Sequence, residues 1–152
     1  MRTRVRSKVA AAALALGAGG MLAALTPAGP AVAVDSPPLV LDVEVDSPAS
    51  LLARGLAVSL PVEVTCTSSP DSTSVSVTIS QRVGNQIVRG YGYFRPDCTG
   101  QPEKLFVVAQ VYDSGKVFTH GSALATASIW GCTADWWTCG NDEDTEAISV
   151  RR

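Results

Sequence analysis

The chain has 152 residues, 12 of them basic and 14 acidic, with 46% apolar side chains and four cysteines. This length suits one domain able to bury a real core. Arg2, Arg4, Arg6 and Lys8 fall in the first residues with no acid beside them, so the remainder from residue 34 carries a net charge of −6. Such a charge argues against nucleic acid or an anionic membrane as the partner.

The basic start is followed by an Ala- and Gly-rich apolar stretch, Val9 to Leu25, and then by Ala31-Val32-Ala33, the small-x-small form cut by signal peptidase. The expectation is a signal peptide over residues 1–33 and one exported domain over 34–152. The apolar run falls short of the roughly 20 residues of a membrane span, so no membrane association is expected after cleavage.

Alternating apolar and polar residues dominate the exported part, broken at short intervals by turn formers. Leu39, Leu41, Val43 and Val45 share one face of a first strand, and Val58 to Cys66 a second, in which Pro61 predicts a bulge or an edge contact. Val75, Val77 and Ile79 mark a third strand. Val83-Gly84-Asn85-Gln86 follows, suited to a type II′ hairpin turn. A fourth strand runs near Ile87 to Phe94, a fifth includes Leu105 to Val111, a sixth Ala123 to Trp130 and a seventh Ala147 to Val150. Seven short strands without a helical period predict an all-β fold, an immunoglobulin-like antiparallel β-sandwich. A small barrel is the alternative.

Cys66, Cys98, Cys132 and Cys139 all lie in the exported part, where an oxidising environment sustains disulfides. In a sandwich with alternating strands all four thiols fall at one pole. There Cys66–Cys98 joins two antiparallel neighbours, and Cys132–Cys139 staples the last hairpin. Crossed pairings at that pole stay open. The spacings do not suit zinc, so no metal and no cofactor is expected.

The order of features runs from a basic-Ala leader and a Val-rich strand ending in Cys66 through Ser80-Gln81-Arg82-Val83-Gly84 and Cys98-Thr99-Gly100 to a Cys-containing loop before Asp144-Thr-Glu-Ala-Ile-Ser-Val150. It resembles small exported immunoglobulin-like proteins of high-GC Gram-positive bacteria, a resemblance that implies export and fold but no activity. The tail from Cys132 to Cys139 with Ala147-Ile148-Ser149-Val150 more loosely resembles apoproteins of the neocarzinostatin type, which implies a small-molecule carrier. The first cysteine pair here is spaced 32 residues apart, wider than that family uses, and no site residue is carried over from it.

Candidate functional residues cluster in the tail Trp130-Gly-Cys-Thr-Ala-Asp135-Trp136-Trp137-Thr-Cys139. Trp136 and Trp137, with Asp135 beside them, form a rigid aromatic platform if the loop is closed by a disulfide. Adjacent side chains on extended backbone point oppositely, so one indole is expected buried and the other exposed. Trp130 is expected in the core or packed on a cystine. Tyr91 and Tyr93 alternate with glycines, as a ligand- or partner-binding strand would, although packing across strands is the commoner reason for such a pattern. The run Asn141 to Glu146 reads as a solvated acidic loop, without the spacing of a calcium loop. His120 stands alone, with no nucleophile elbow in the chain, so no catalytic residue is assigned.

The sequence thus predicts a secreted, monomeric, non-catalytic binding or structural module. Its binding surface is the loops at the disulfide-bearing pole: Thr67 to Ser72, Arg95 to Glu103, and the loop with Trp136 and Trp137. Its partner is an extracellular protein, a glycan or a small molecule.

Overall fold

A computed structural model describes residues 38–67, 72–112, 115–133 and 136–152. The expected leader and Asp135 lie outside the described residues. The eight strands are β1 (Leu41–Val45), β2 (Ala49–Leu52), β3 (Ala57–Cys66), β4 (Ser72–Val83), β5 (Gln86–Phe94), β6 (Glu103–Val111), β7 (Gly121–Cys132) and β8 (Cys139–Arg151). A 3-10 turn, Ala53–Gly55, is the one helical element among the described residues. None of them forms a helix long and apolar enough to cross a membrane.

These strands form one sheet in the order β1-β3-β2-β8-β7-β4-β5-β6, which closes on itself because β6 also pairs with β3. The all-β class and the two disulfides agree with the sequence. The expected pair of separate sheets is replaced by a barrel-like closed sheet, and eight strands stand where seven are expected. Two elements cause the closure. β5 pairs with β4 over nine residues and then meets β6 at Gly90 and Tyr91. β2, which the sequence does not announce, pairs antiparallel with β3 and parallel with β8 at Ala49 and Ser50.

Strand β3 shows how a proline is accommodated. Its register against β6 runs from Ala57 opposite Gln110 to Val64 opposite Glu103 without a skipped residue, so Pro61 makes no bulge there. The other edge of β3 is shared, with β1 along Val62 to Cys66 and β2 along Ala57 to Ser59. Pro61 falls at the change from one to the other, and its carbonyl accepts from the Asp46 N–H at 3.0 Å. In an antiparallel ladder the N–H and C=O of a residue point the same way. The donor that proline lacks would therefore have faced the break between β1 and β2, where no ladder bond is lost.

The apolar positions of the alternating strands meet inside. Val58, Leu60, Val62 and Val64 of β3 face Val75, Val77 and Ile79 of β4 and Ala125, Ala127 and Ile129 of β7 in one buried cluster. Burial of each larger side chain contributes roughly 1.5–3 kcal/mol. Phe118, from the connection between β6 and β7, fills one end of this core and is anchored by its N–H to the Gly55 carbonyl at 2.9 Å. Buried Gln81 holds the same connection, accepting from the Thr119 N–H at 2.8 Å and donating to the Thr119 carbonyl at 2.8 Å.

The acidic run is not a loop. β8 begins at Cys139 and carries Asp142 and Asp144 on the side facing β1. There the Val43 N–H donates to Asp142 Oδ2 at 3.0 Å and the Val45 N–H to Asp144 Oδ2 at 2.9 Å. Carboxylates thus take the place of a backbone ladder between β1 and β8. Charge-assisted bonds of this kind are stronger than neutral ones, which is why a segment without apolar alternation adopts strand geometry.

Candidate functional site

Strands β7 and β8 are paired over twelve residues, and their last pair is Cys132 with Cys139, joined as a disulfide with a Cα separation of 4.0 Å. The next pair outward, Thr133 and Thr138, closes a small ring of bonds. The Thr133 N–H donates to the Thr138 carbonyl at 2.8 Å, and the Thr138 N–H to Thr133 Oγ1 at 3.3 Å. The Trp136 N–H then turns back onto the Thr133 carbonyl at 2.8 Å. Beyond this covalent and hydrogen-bonded closure the described residues of the tip are Trp136 and Trp137.

Both tip indoles face solvent: Trp136 is 60% and Trp137 89% exposed. The expectation that one would be buried fails because the tip is a tight turn, not extended backbone. Trp136 has φ +61°, a left-handed conformation that favours glycine. For a side chain of this size it costs about 1–2 kcal/mol, and it aims the indole away from the sheet.

The two disulfides lie at the same end of the fold. Cys66 is bonded to Cys98, and the Cys66 carbonyl accepts from the Gly100 N–H at 3.0 Å. Cys66 pairs with Leu41 across β1, and Leu41 Cδ2 lies beside Gly131, next to Cys132 in β7. Of the three loops expected at this pole, residues 68–71 lie outside the described residues, while the Arg95–Glu103 stretch and the Trp loop are both brought there through the cystines.

Trp130 is not in the core. Burial along β7 alternates with Ala125, Ala127 and Ile129 inward, so Trp130 falls on the outward side opposite Asn141 and is 45% exposed. The odd-numbered spacing of the buried residues in β7 already carries that signal.

Tyr91 and Tyr93 point outward from β5, 47% and 53% exposed, with Thr78 and Ser76 of β4 as their cross-strand partners. Their direct partners on β4 are thus hydroxyl side chains, one of them β-branched. The glycines between them have a structural reason. A Cβ on Gly90 would sit 2.8 Å from the Phe118 ring, and one on Gly92 would sit 2.7 Å from the Val108 carbonyl of β6. Close approach of Phe118 and β6 therefore forces glycine inward and leaves the tyrosines outward. Arg95 Nε donates to Tyr93 Oη at 3.4 Å, and this contact raises the pKa of the guanidinium.

His120 is exposed on the connection before β7. Among the described residues no group of three or more His, Cys, Asp or Glu side chains is placed to hold a metal ion.

No protein-family model matches the chain, and no curated protein matches it by sequence. Among solved structures the chain is similar to AggA, the major subunit of aggregative adherence fimbriae type I from Escherichia coli. The identity is 10% and the TM-score 0.38, over 74% of this chain and 94% of that one, a level of likeness that assigns no function.

Proposed function

We propose that the protein is exported and acts outside the cell as a non-catalytic binding or structural module, with the disulfide-closed loop carrying Trp136 and Trp137 as its contact point. The observation that carries this reading is that two large apolar side chains are held in solvent by a tip closed with a disulfide, one of them on strained backbone. A fold gains no burial energy from such residues, and strain retained by a rigid surround marks a surface shaped for contact. Closure also lowers the entropy lost when a partner orders the loop.

The fold side of the proposal is an immunoglobulin-like module. The neighbour relations β1–β3–β6 and β8–β7–β4 are those of the two sheets of that architecture, here joined by β5 and β2. The resemblance to small exported proteins of high-GC Gram-positive bacteria belongs to the same proposal. The interior is occupied by the Val, Leu and Ile cluster and by Phe118, which favours the outer surface over a carrier's internal cleft as the place of binding.

Acrylamide quenching of tryptophan fluorescence tests the loop. Trp137→Phe is expected to remove the most strongly quenched component while the melting temperature stays within about 2 °C, because an indole 89% exposed buries little area against the fold. Shielded indoles, with a clear fall in the melt for both Trp136→Phe and Trp137→Phe, would make the pair a structural plug and remove the contact point.

A further inference from the structure

Tyr91, Tyr93 and Trp130 come from separate stretches of sequence, yet they stand on one face of the sheet. The registers place Ser74 opposite Trp130, Ser76 between Ser128 and Tyr93, and Thr78 between Thr126 and Tyr91. The outer side of β7, β4 and β5 is therefore a strip of hydroxyls with Trp130 at one corner and two tyrosines along the opposite margin. Between the aromatic rings every outward side chain of β4, from Ser74 through Ser76 and Thr78 to Ser80, is small and uncharged. Charges stand at the rim: Glu143 Oε2 accepts from Ser128 Oγ at 3.1 Å on the β8 side, Arg89 lies opposite Ser80 with Arg82 next along β4, and Arg95 Nε donates to Tyr93 Oη at 3.4 Å.

We propose that this face is the bed for an extended, uncharged polysaccharide chain. The inference rests on the binding-module reading and names its ligand class. Three features favour that ligand. A sugar ring offers an apolar C–H face, which stacks on an aromatic ring whose π face is electron-rich. Its hydroxyls both donate and accept hydrogen bonds, as the serine and threonine hydroxyls of the strip do. The middle of the strip, from Ser74 to Ser80, carries no charge, which suits an uncharged polymer, and the arginines at its tyrosine margin make a polyanion the competing ligand that the test must separate.

Size argues in the same direction. Three strands and the six-residue rise from Leu124 to Trp130 give a strip of roughly 10 by 20 Å, on the order of 200 Å². A stable protein–protein interface takes about 800 Å² from each partner and has an apolar centre. The strip by itself falls short of that and has a polar centre, with the exposed apolar Val108 and Phe106 of β6 lying beyond its tyrosine margin, and a single polymer strand lying from Trp130 toward Tyr93 fits the roughly 12 Å between those Cα positions. Trp130 stands two residues before Cys132 on the same side of β7, so a longer chain continues toward the Trp136–Trp137 loop.

Affinity electrophoresis of the purified protein tests this, in native gels cast with hydroxyethyl cellulose, lichenan, glucomannan, arabinoxylan or pullulan and, separately, with anionic alginate. The expected result is slowed migration on at least one uncharged gel and none on alginate. Trp130→Ala and Tyr93→Ala are each expected to weaken that binding about tenfold. Ser76→Glu, which puts a charge in the middle of the strip without touching the core, is expected to weaken it at least as much. No slowing on any uncharged gel, slowing on alginate alone, or slowing that all three substitutions leave unchanged overturns the assignment. Binding lost only in Trp137→Ala overturns this face while the module reading stands. Shielded, melt-lowering tip tryptophans remove the loop's part of that reading independently of the gels.

Discussion

Phe118 and Gly90 are a matched pair. The ring lies where a side chain at residue 90 would be, and its own backbone is tied to Gly55. Replacing Phe118 by Ala would empty that end of the core and is expected to destabilise the protein by about 3–5 kcal/mol. Gly90→Ala, which overfills it, is expected to destabilise it by about 1–3 kcal/mol. Urea denaturation of the two variants checks both, and near wild-type midpoints would show that the connection before β7 is not part of the core. The sequence gives no hint of this role for Phe118, which lies in a stretch with the look of a plain turn. A contact between residues 28 positions apart has no local signature. Trp130 is the opposite case, because the alternation of β7 was visible and only the preference for burying tryptophan pointed the wrong way.

At the scale of elements, the junction between β1 and β8 has the least ordinary chemistry. Two backbone donors of β1 are satisfied by side chains and not by a neighbouring strand. Removing either acceptor, by Asp142→Ala or Asp144→Ala, leaves a partly buried N–H unmet and is expected to cost about 1–3 kcal/mol. Asn in place of Asp keeps an acceptor oxygen and is expected to cost less. Hydrogen exchange reads the same event locally: the Val43 amide should exchange faster in Asp142→Ala and the Val45 amide in Asp144→Ala. Unchanged exchange in both would mean that these bonds do not hold β1. The strands with apolar alternation, β3 to β7, were legible in outline, since each repeats its pattern several times. β2 and most of β8 were not. β2 is too short for a period, and the residues from Asn141 to Glu146 owe their strand geometry to pairing with β7 and to bonds reaching 99 residues back along the chain.

For the whole molecule, the two cystines act over different lengths of chain. Cys66–Cys98 spans a sequence separation of 32 and Cys132–Cys139 one of 7. In the loop-closure view the longer link restricts the unfolded chain more, by about 4 kcal/mol against about 2 kcal/mol. The double variant Cys66→Ala/Cys98→Ala is therefore expected to lose more stability than Cys132→Ala/Cys139→Ala in chemical denaturation. The second variant is expected to show the smaller loss, about 2 kcal/mol, together with loss of the fixed geometry of the tryptophan tip. The reverse order would show that the hairpin staple holds more of the fold than its own loop.

The all-β class, most strand positions and the favoured pairing of the cysteines follow from the sequence alone, because period-two alternation, turn residues and cysteine spacing are local properties of the chain, whereas the exposure of both tip tryptophans does not. Closure of the sheet through β3 and β6, the carboxylate seam between β1 and β8, and the joining of Tyr91, Tyr93 and Trp130 into one face were decided by tertiary structure. Each depends on register between strands distant in sequence, and register is fixed only when the apolar faces of all the strands are buried together.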